Sequence, residues 1–344
     1  MKTNLMLLTL SMTLIFSACQ KGMTNITPDE SFSSVEEYVS TKSPTAENFA
    51  LIAGEGGNFT TDKGSKITIP ANSFVDGSGA LVEGDVNIEI KEIFERSEMM
   101  FSGAFPVSNG VLLNSGGMFD IGANSDGVDL RLADGAEIVV QIPAQADPDG
   151  MELFFAAPFG EDDPNGAAVN WEVVELDSIL IEPVDSFVVI DGDTNWIGPG
   201  AGGGDWEPAG SGFEFNSADG TYEITLDSLG WGNIDVFQIV DYFPCTFNLL
   251  AEGLDLDNQN TTAFAVFKNQ NTVWPVGSWG AIDNNVISEN HLADVPFNLV
   301  VISVVDNQLY SGILDITPEP NTVYDVEMSE TTSSELDEAI EALL

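Results

Sequence analysis

The sequence is short of basic residues. Only 9 of its 344 residues are Lys or Arg, against 56 Asp or Glu, which gives a formal net charge of −47 at pH 7. Nucleic-acid binding and attachment to anionic lipid through a basic patch both require clustered Lys and Arg. This composition therefore argues against nucleic-acid binding and rules out attachment to anionic lipid through a basic patch. Solubility in salty water is enough to explain such an acidic surface, with no partner implied.

Cysteine and histidine are also scarce: the chain has two Cys residues and one His residue. These counts exclude a histidine-rich zinc site. The one histidine, His291, has no Gly-x-Ser-x-Gly nucleophile motif to serve, so we expect a polar loop residue. Phosphate-binding glycine motifs are missing too. Apolar residues are not scarce: they make up 43% of the chain and include 21 Phe, so a sizeable core is expected.

The N-terminus has the features of an export signal. Lys2 precedes an apolar run at residues 5–16, which is too short to span a bilayer as a helix. Residues 16–19 (FSAC) resemble the lipobox of bacterial lipoproteins, and this resemblance implies cleavage before Cys19 and acylation of that residue. Gln20 follows instead of the Asp that retains such proteins at the inner membrane. We therefore expect an outer-membrane or cell-surface location.

Lipid on Cys19 has two consequences. Two or three acyl chains anchor a protein stably, whereas one chain is marginal, so the membrane is an expected partner. The other cysteine, Cys245, then has no partner for an intramolecular disulfide, and we expect it to be a buried apolar residue. The alternative is an ordinary signal peptide with an incidental cysteine.

Short alternating segments predict an all-β fold. Polar and apolar residues alternate over five to eight positions in several segments, which indicates strands with one buried face. The segments are residues 66–69, 86–93, 128–132, 137–142 and 171–174, with later runs at 221–225, 234–237, 262–268, 297–305, 309–316 and 322–328. No amphipathic helices separate them, which favours an antiparallel sandwich. The chain ends in a predicted short helix, with Leu336 and Ile340 on one face.

These patterns divide the chain into six segments. We predict a signal peptide at residues 1–18, a polar tether at 19–53, a β-sandwich at 54–180, a connecting β segment with a Gly-rich loop at 181–240, a smaller C-terminal β-domain at 241–330 and the short helix at 331–344.

Several motifs resemble a known family. They are residues 64–74 (GSKITIPANSF), 84–90 (GDVNIEI), 108–110 (SNG), 115–118 (SGGM) and 229–235 (LGWGNID). Together they resemble uncharacterised lipoproteins of Bacteroidetes-type bacteria, whose first β-domain is similar to the ZU5 domain of ankyrin and netrin-receptor proteins. The resemblance implies a ZU5-like sandwich and a non-enzymatic binding role, with no catalytic residues.

The same motifs have a structural interpretation in this chain. Gly116 and Gly117 allow backbone angles that are closed to other residues. Trp231 lies between two glycines and is expected to anchor a core, and Asn233 and Asp235 are expected to cap a turn beside it.

Calcium is the cofactor that the sequence favours most. Asp191, Asp193 and Asn195 place three oxygen side chains at alternate positions, as at the start of an EF-hand loop, although the Gly and distal Glu of that loop do not follow. Weaker candidates are residues 161–166 and 255–258. Asx-rich turns are common in β-proteins and usually bind nothing, which is the alternative.

The sequence predicts a lipid-anchored envelope protein with a non-catalytic binding or scaffolding role. Its partner would be an envelope protein or a glycan, and the aromatic residues considered as contacts are Trp196, Trp206, Trp274 and Trp279. Two alternatives stay open: a carbohydrate-active hydrolase that uses paired carboxylates, and a structural component of a surface assembly.

Overall fold

The structure is a computed structural model of the chain. It describes residues 31–108, 111–145, 149–157, 170–173, 187–190, 193–196, 212–277 and 282–344. Of residues 156–157, 170–173, 187–190 and 193–196 only the backbone is described, and the side chain of residue 290 is not. Residues Ser31–Leu344 form one compact unit. None of the helices in the described part of the chain has the length and apolar character to cross a membrane.

Most of the described residues lie in strands, which confirms the all-β prediction. In chain order the elements are α1 (Val35–Lys42), β1 (Glu47–Ile52), β2 (Gly57–Thr60), β3 (Lys66–Ile69), β4 (Phe74–Val75), β5 (Asp85–Ile93), α2 (Arg96–Ser102), β6 (Val107–Ser108), β7 (Val111–Ser125), β8 (Val128–Asp129), β9 (Arg131–Leu132), β10 (Ile138–Pro143), β11 (Glu152–Ala157), β12 (Asn170–Val173), β13 (Phe187–Ile190), β14 (Asp193–Trp196), β15 (Phe213–Asn216), β16 (Thr221–Leu226), β17 (Gly230–Phe237), β18 (Tyr242–Leu250), β19 (Thr261–Phe267), β20 (Val273–Val276), β21 (Ile282–Asp283), β22 (Val286–Ala293), β23 (Phe297–Val305), β24 (Gln308–Ile316), β25 (Val323–Glu327), β26 (Ser329–Glu330) and α3 (Ser333–Glu341).

The first sandwich packs two antiparallel sheets. One sheet, called sheet A here, has the order β1-β5-β7-β17-β11-β12, and the facing sheet has the order β15-β16-β10-β3-β2. Alternate residues of β5 and β10 point into the space between them, as their sequence period requires. Ile88 and Ile90 enter from one side and Val140 and Ile142 from the other, and all four are buried.

The second sandwich has a strand that is covered on both faces. Its sheets have the orders β21-β22-β18-β25 and β20-β19-β23-β24-β26, and β18 and β25 run parallel. On β23, Leu299 and Val301 point into the sandwich core, whereas Val300 and Ile302 belong to a separate cluster on the opposite face. This double burial explains the unbroken apolar run of residues 297–305.

That separate cluster joins the two sandwiches, and we call the contact region the junction. Its members are contributed by the three helices, the outer face of sheet A and the outer face of the β19–β23 sheet. Tyr38 of α1 and Phe101 of α2 are completely or almost completely buried there, with their ring centroids 6.1 Å apart. The terminal helix α3 is present as predicted. Thr332 caps its first turn, and Leu336 and Ile340 are buried in the junction.

The segment boundaries differ from those that the sequence predicted. Strands β16 and β17, expected in a connecting segment, belong to the first sandwich, and β17 lies between β7 and β11 in the middle of sheet A. In addition, α1 and β1 fold within the stretch expected to be a tether. The physical reason is that strand pairing is non-local, so periodicity identifies a strand without identifying its neighbours.

Candidate functional site

Strand β17 carries the Leu-Gly-Trp motif and buries its polar residues. Asn233 and Asp235 are both fully buried in the middle of the strand, which corrects the expectation that they cap a turn. The Asn233 Nδ2 donates to Asp235 Oδ2 at 2.5 Å. Ser115 Oγ, on the neighbouring strand β7, donates to Asn233 Oδ1 at 3.1 Å. These three side chains form a sealed polar network at the junction side of sheet A.

A β-bulge lies beside this network. The pairing between β7 and β17 shifts between Ile234 and Asp235, so that Gly116 is left without a partner in the register. Gly117 has φ +136°, which confirms for this one of the two glycines that it supplies a conformation closed to other residues. A Cβ atom on Gly116 would lie 3.1 Å from the Ile234 carbonyl oxygen, so the space is closed as well.

The second sandwich contacts this bulge through the turn between β19 and β20. Asn271 Nδ2 donates to the carbonyl oxygens of Phe94 and Ser115, both at 3.0 Å. The Ser115 amide donates to the Asn271 carbonyl oxygen at 3.1 Å, and the Asn271 amide donates to Asn114 Oδ1 at 2.8 Å. One side chain of the second sandwich therefore satisfies backbone groups at two places in the first.

Burial changes the acid–base properties of several carboxyl groups. It raises the pKa of Asp235 to about 8, although the polar side chains of Ser115 and Asn233 beside it act in the opposite direction. Burial also raises the pKa of Glu152, which lies on β11 and is paired with Asp235 of β17. A two-carboxylate hydrolase needs two neighbouring carboxyl groups, one of which has a raised pKa and acts as the general acid. However, Asp235 is completely buried, so a substrate cannot reach its carboxyl group in this structure.

Trp231 lies next to this network, at the edge of the junction. It packs against the junction cluster, as expected for an anchor, and the Lys91 Nζ lies 5.8 Å from the centroid of its ring. Asp120 is paired with both Lys91 and Trp231 across the neighbouring strands. Burial raises the pKa of Asp120, whereas Lys91 acts to lower it.

The outer face of sheet A continues beyond Trp231 as a row of polar side chains. We call Asn48, Asn87, Glu89 and Asn124 the polar face. Asn87 Nδ2 donates to Asn48 Oδ1 at 3.0 Å and to Glu89 Oε1 at 3.1 Å. Asn124 Nδ2 donates to the same Glu89 oxygen at 2.9 Å. Asn48 and Glu89 are exposed, so the row offers hydrogen-bonding groups to solvent in a fixed arrangement.

A cleft of about 320 Å³ opens at one end of the first sandwich. Three of its four charged side chains, Glu47, Lys63 and Glu98, already make bonds within the protein. Lys63 Nζ donates to the Glu92 carbonyl oxygen at 2.8 Å and forms an ion pair with Glu98. Glu47 accepts the Asp62 amide at 2.9 Å. Burial raises the pKa of Glu92, and the hydroxyls of Ser65 and Thr61 act to lower it. The bonds that line the cleft therefore hold the β2–β3 turn against α2 and β1.

The calcium candidate falls largely outside the described part of the chain. Asp191 lies outside it, and Asp193 and Asn195 are described only as backbone, in β14 paired with β13. Residues two apart on a strand share a face, so the spacing stays compatible with a common ligand and the site stays a prediction. Within the described residues, no group of three or more His, Cys, Asp or Glu is placed to hold a metal ion.

In the weaker calcium candidate at residues 255–258, two of the side-chain oxygens already accept hydrogen bonds. Asp257 Oδ1 accepts the Gln259 amide at 2.8 Å, and Asn258 Oδ1 accepts the Ile282 amide at 2.7 Å. The Asp257 bond is that of an Asx turn, and the Asn258 bond ties this turn to the start of β21, so both side chains have a structural role, as the alternative interpretation expects. The other weak candidate, residues 161–166, lies outside the described residues.

The single histidine and the second cysteine have structural positions. His291 lies in β22 and not in a loop, with its ring stacked on Tyr242 at 4.1 Å between centroids and 3° between planes. The prediction of a loop is therefore wrong. A β-bulge in the pairing of β22 with β18 interrupts the alternation of polar and apolar residues around His291, so the local sequence did not indicate a strand there. Cys245 is buried, as expected, and burial raises its thiol pKa to about 11, with Glu289 adding to the effect.

Of the four tryptophans that the sequence suggested as contacts, the structure describes the side chain of one. Trp274 is only 1% exposed and packs in the core of the second sandwich, so it is not a surface contact. The sequence could not show this, because Trp274 follows a polar turn but is the second residue of a buried strand. Trp206, Trp279 and the side chain of Trp196 lie outside the described part of the structure.

Comparison with known proteins adds no identification. No protein-family model, no curated protein and no solved structure matches the chain. The ZU5-like resemblance thus stays a prediction from the motifs.

Proposed function

We propose that this chain is a lipid-anchored protein of the outer membrane or cell surface, with a non-catalytic binding or scaffolding role. The lipobox-like sequence ending in Cys19 supports the anchor. The observation that carries the proposal is the short stretch of sequence between Cys19 and the folded unit. That unit begins at Ser31, and Phe32, only 4% exposed, already packs in the junction.

The short connection limits the distance between the lipid and the folded unit. Only residues 20–31 separate Cys19 from the first buried side chain. At about 3.5 Å per residue, a connection of that length reaches at most about 40 Å. Lys42 Nζ contacts Asp337 Oδ2 at 2.5 Å, which ties α1 to α3 and keeps the start of the folded unit attached to the junction. The first buried residue of the folded unit could therefore lie no farther than about 40 Å from an acylated Cys19.

The polar face is the contact surface that we propose for a partner. Amide and carboxylate groups in a fixed row can donate to and accept from the hydroxyl groups of a glycan. The net charge of −47 disfavours polyanionic glycans, so a neutral glycan fits better than an acidic one. Bound calcium at Asp191, Asp193 and Asn195 is a further part of the proposal.

The anchor is tested by metabolic labelling with a fatty acid in cells that express the full chain. We expect label on the wild-type protein, recovery in the outer-membrane fraction, and loss of both for Cys19→Ala. Cys245→Ala is the matched control and should stay labelled. A wild-type chain without label, or a Cys19→Ala variant that stays in the membrane, would refute the anchor.

The contact surface is tested with the folded chain on an array of neutral and acidic glycans. Asn87→Ala and Glu89→Ala should weaken binding to neutral glycans, because each removes bonds that hold the row together. Asn58→Ala is the control, since Asn58 is exposed on the opposite sheet of the same sandwich. Equal binding by all three variants would exclude the polar face as the contact surface.

A further inference from the structure

The carboxyl group of Asp235 is sealed inside the protein. Asp235 is fully buried, and its Oδ1 has no hydrogen-bond partner among the described residues. The other oxygen accepts from Asn233. A buried charge without a compensating partner is costly, so the neutral form of this group is favoured in the closed structure.

The same carboxyl group is connected to the junction by a short chain of hydrogen bonds. Asp235 is bonded to Asn233, and Asn233 is bonded to Ser115 Oγ. The Ser115 backbone is in turn bonded through both its amide and its carbonyl group to Asn271 of the second sandwich. A rearrangement around Asp235 therefore acts on residues that hold the second sandwich in place.

Among the described residues, no charged side chain of the surrounding elements acts on Asp235 as a counter-charge. The charged side chains on them are Glu152 on β11, Asp120 on β7, Asp85, Glu89, Lys91 and Glu92 on β5, Arg96 and Glu98 on α2, and Lys268 beside the β19–β20 turn. Glu152 is an acid itself, and Lys91 lies over Trp231. Arg96 donates to the Phe267 and Leu344 carbonyl groups, and Lys268 is paired with Asp315. An ionised Asp235 is thus stabilised mainly by water, which must enter from outside.

We propose that Asp235 is a proton switch for the junction: its neutral carboxyl group favours the closed contact between the sandwiches, and loss of its proton favours opening. Opening of the Asn271 turn is the route that brings water to the carboxyl group, because this turn covers the bulge next to Asp235. The switch would make the spacing of the two sandwiches sensitive to the pH outside the cell envelope.

The direction of the effect follows from linkage. The carboxyl group has an ordinary pKa when it is open to water and a pKa of about 8 when the junction is closed. Between these two values the open form has lost a proton that the closed form keeps. The opening equilibrium should therefore rise by about tenfold per pH unit over this range and level off above the pKa of the closed form.

Hydrogen exchange of the folded chain between pH 5 and pH 9 tests the switch. After correction for intrinsic exchange, the amides of Ser115 and Asn271 should become less protected as pH rises towards 8. In Asp235→Asn this slope should be absent, whereas Glu152→Gln should keep it. An identical slope in wild type and Asp235→Asn would overturn the proposal. If Asp235→Asn does not fold, the wild type decides: constant protection of the Ser115 and Asn271 amides between pH 5 and pH 8, or an equal loss of protection in β10, which pairs with β16 and β3 away from the junction, would also overturn it.

Discussion

The Asn271→Ala substitution tests whether the two sandwiches are held together as the structure indicates. The change removes two hydrogen bonds from Asn271 Nδ2, to the carbonyl oxygens of Phe94 and Ser115. The backbone bonds of residue 271 to Asn114 and Ser115 can persist. Since Phe94 is 5% exposed and Ser115 is fully buried, neither carbonyl group can turn to solvent in exchange.

The magnitude follows from leaving two buried acceptors unsatisfied. Each costs about 1–3 kcal/mol, so for two acceptors we expect Asn271→Ala to lower the free energy of unfolding by about 2–6 kcal/mol. Asn271→Asp should cost at least as much at neutral pH, because its carboxylate would face the same two carbonyl oxygens. Part of that loss should be recovered in acid, where the carboxyl group is protonated and can donate to one of them.

Urea denaturation monitored by tryptophan fluorescence and by circular dichroism measures this loss. Asn58→Ala is the matched control, because Asn58 is exposed and accepts one bond from Thr68, and it should change stability by less than about 0.5 kcal/mol. A loss for Asn271→Ala no larger than that of the control would refute the role of Asn271 at the junction.

Three further predictions concern other parts of the chain. Gly117→Ala should destabilise the protein by about 1–3 kcal/mol in thermal melts, since φ is +136° and the new Cβ would lie 3.1 Å from the Phe94 ring; Gly84→Ala, with nothing within 4 Å, should be nearly neutral. Calcium should raise the melting temperature relative to EDTA, and Asp191→Ala with Asp193→Ala should abolish the rise; an equal rise with magnesium would point to general screening instead. Cys245 should not react with a thiol reagent at pH 8 in the native state but should react in urea, because burial raises its pKa to about 11; fast native labelling would contradict its buried position.

The local patterns of this sequence predicted its strands well. Residues 86–93 and 137–142 alternate with a period of two, and they fold as β5 and β10 with alternate side chains in the core. Strand β23 needed no alternation, since its unbroken apolar run reflects burial on both faces. The terminal helix was also predictable, because its cap and its apolar stripe lie within a few residues of one another.

The sequence by itself determined the all-β class, the terminal helix and the glycine pair of the bulge, because these depend on residues that are near one another in the chain. Only the tertiary structure decided that β17 lies in the middle of sheet A and that Asn233 and Asp235 are buried. By composition these two residues resemble turn residues. They can be buried because Ser115, more than a hundred positions away, supplies a hydrogen bond to Asn233, and Asn271 closes the junction beside it. Partners this distant in sequence are brought together by the packing of the whole chain, and no local sequence pattern predicts them.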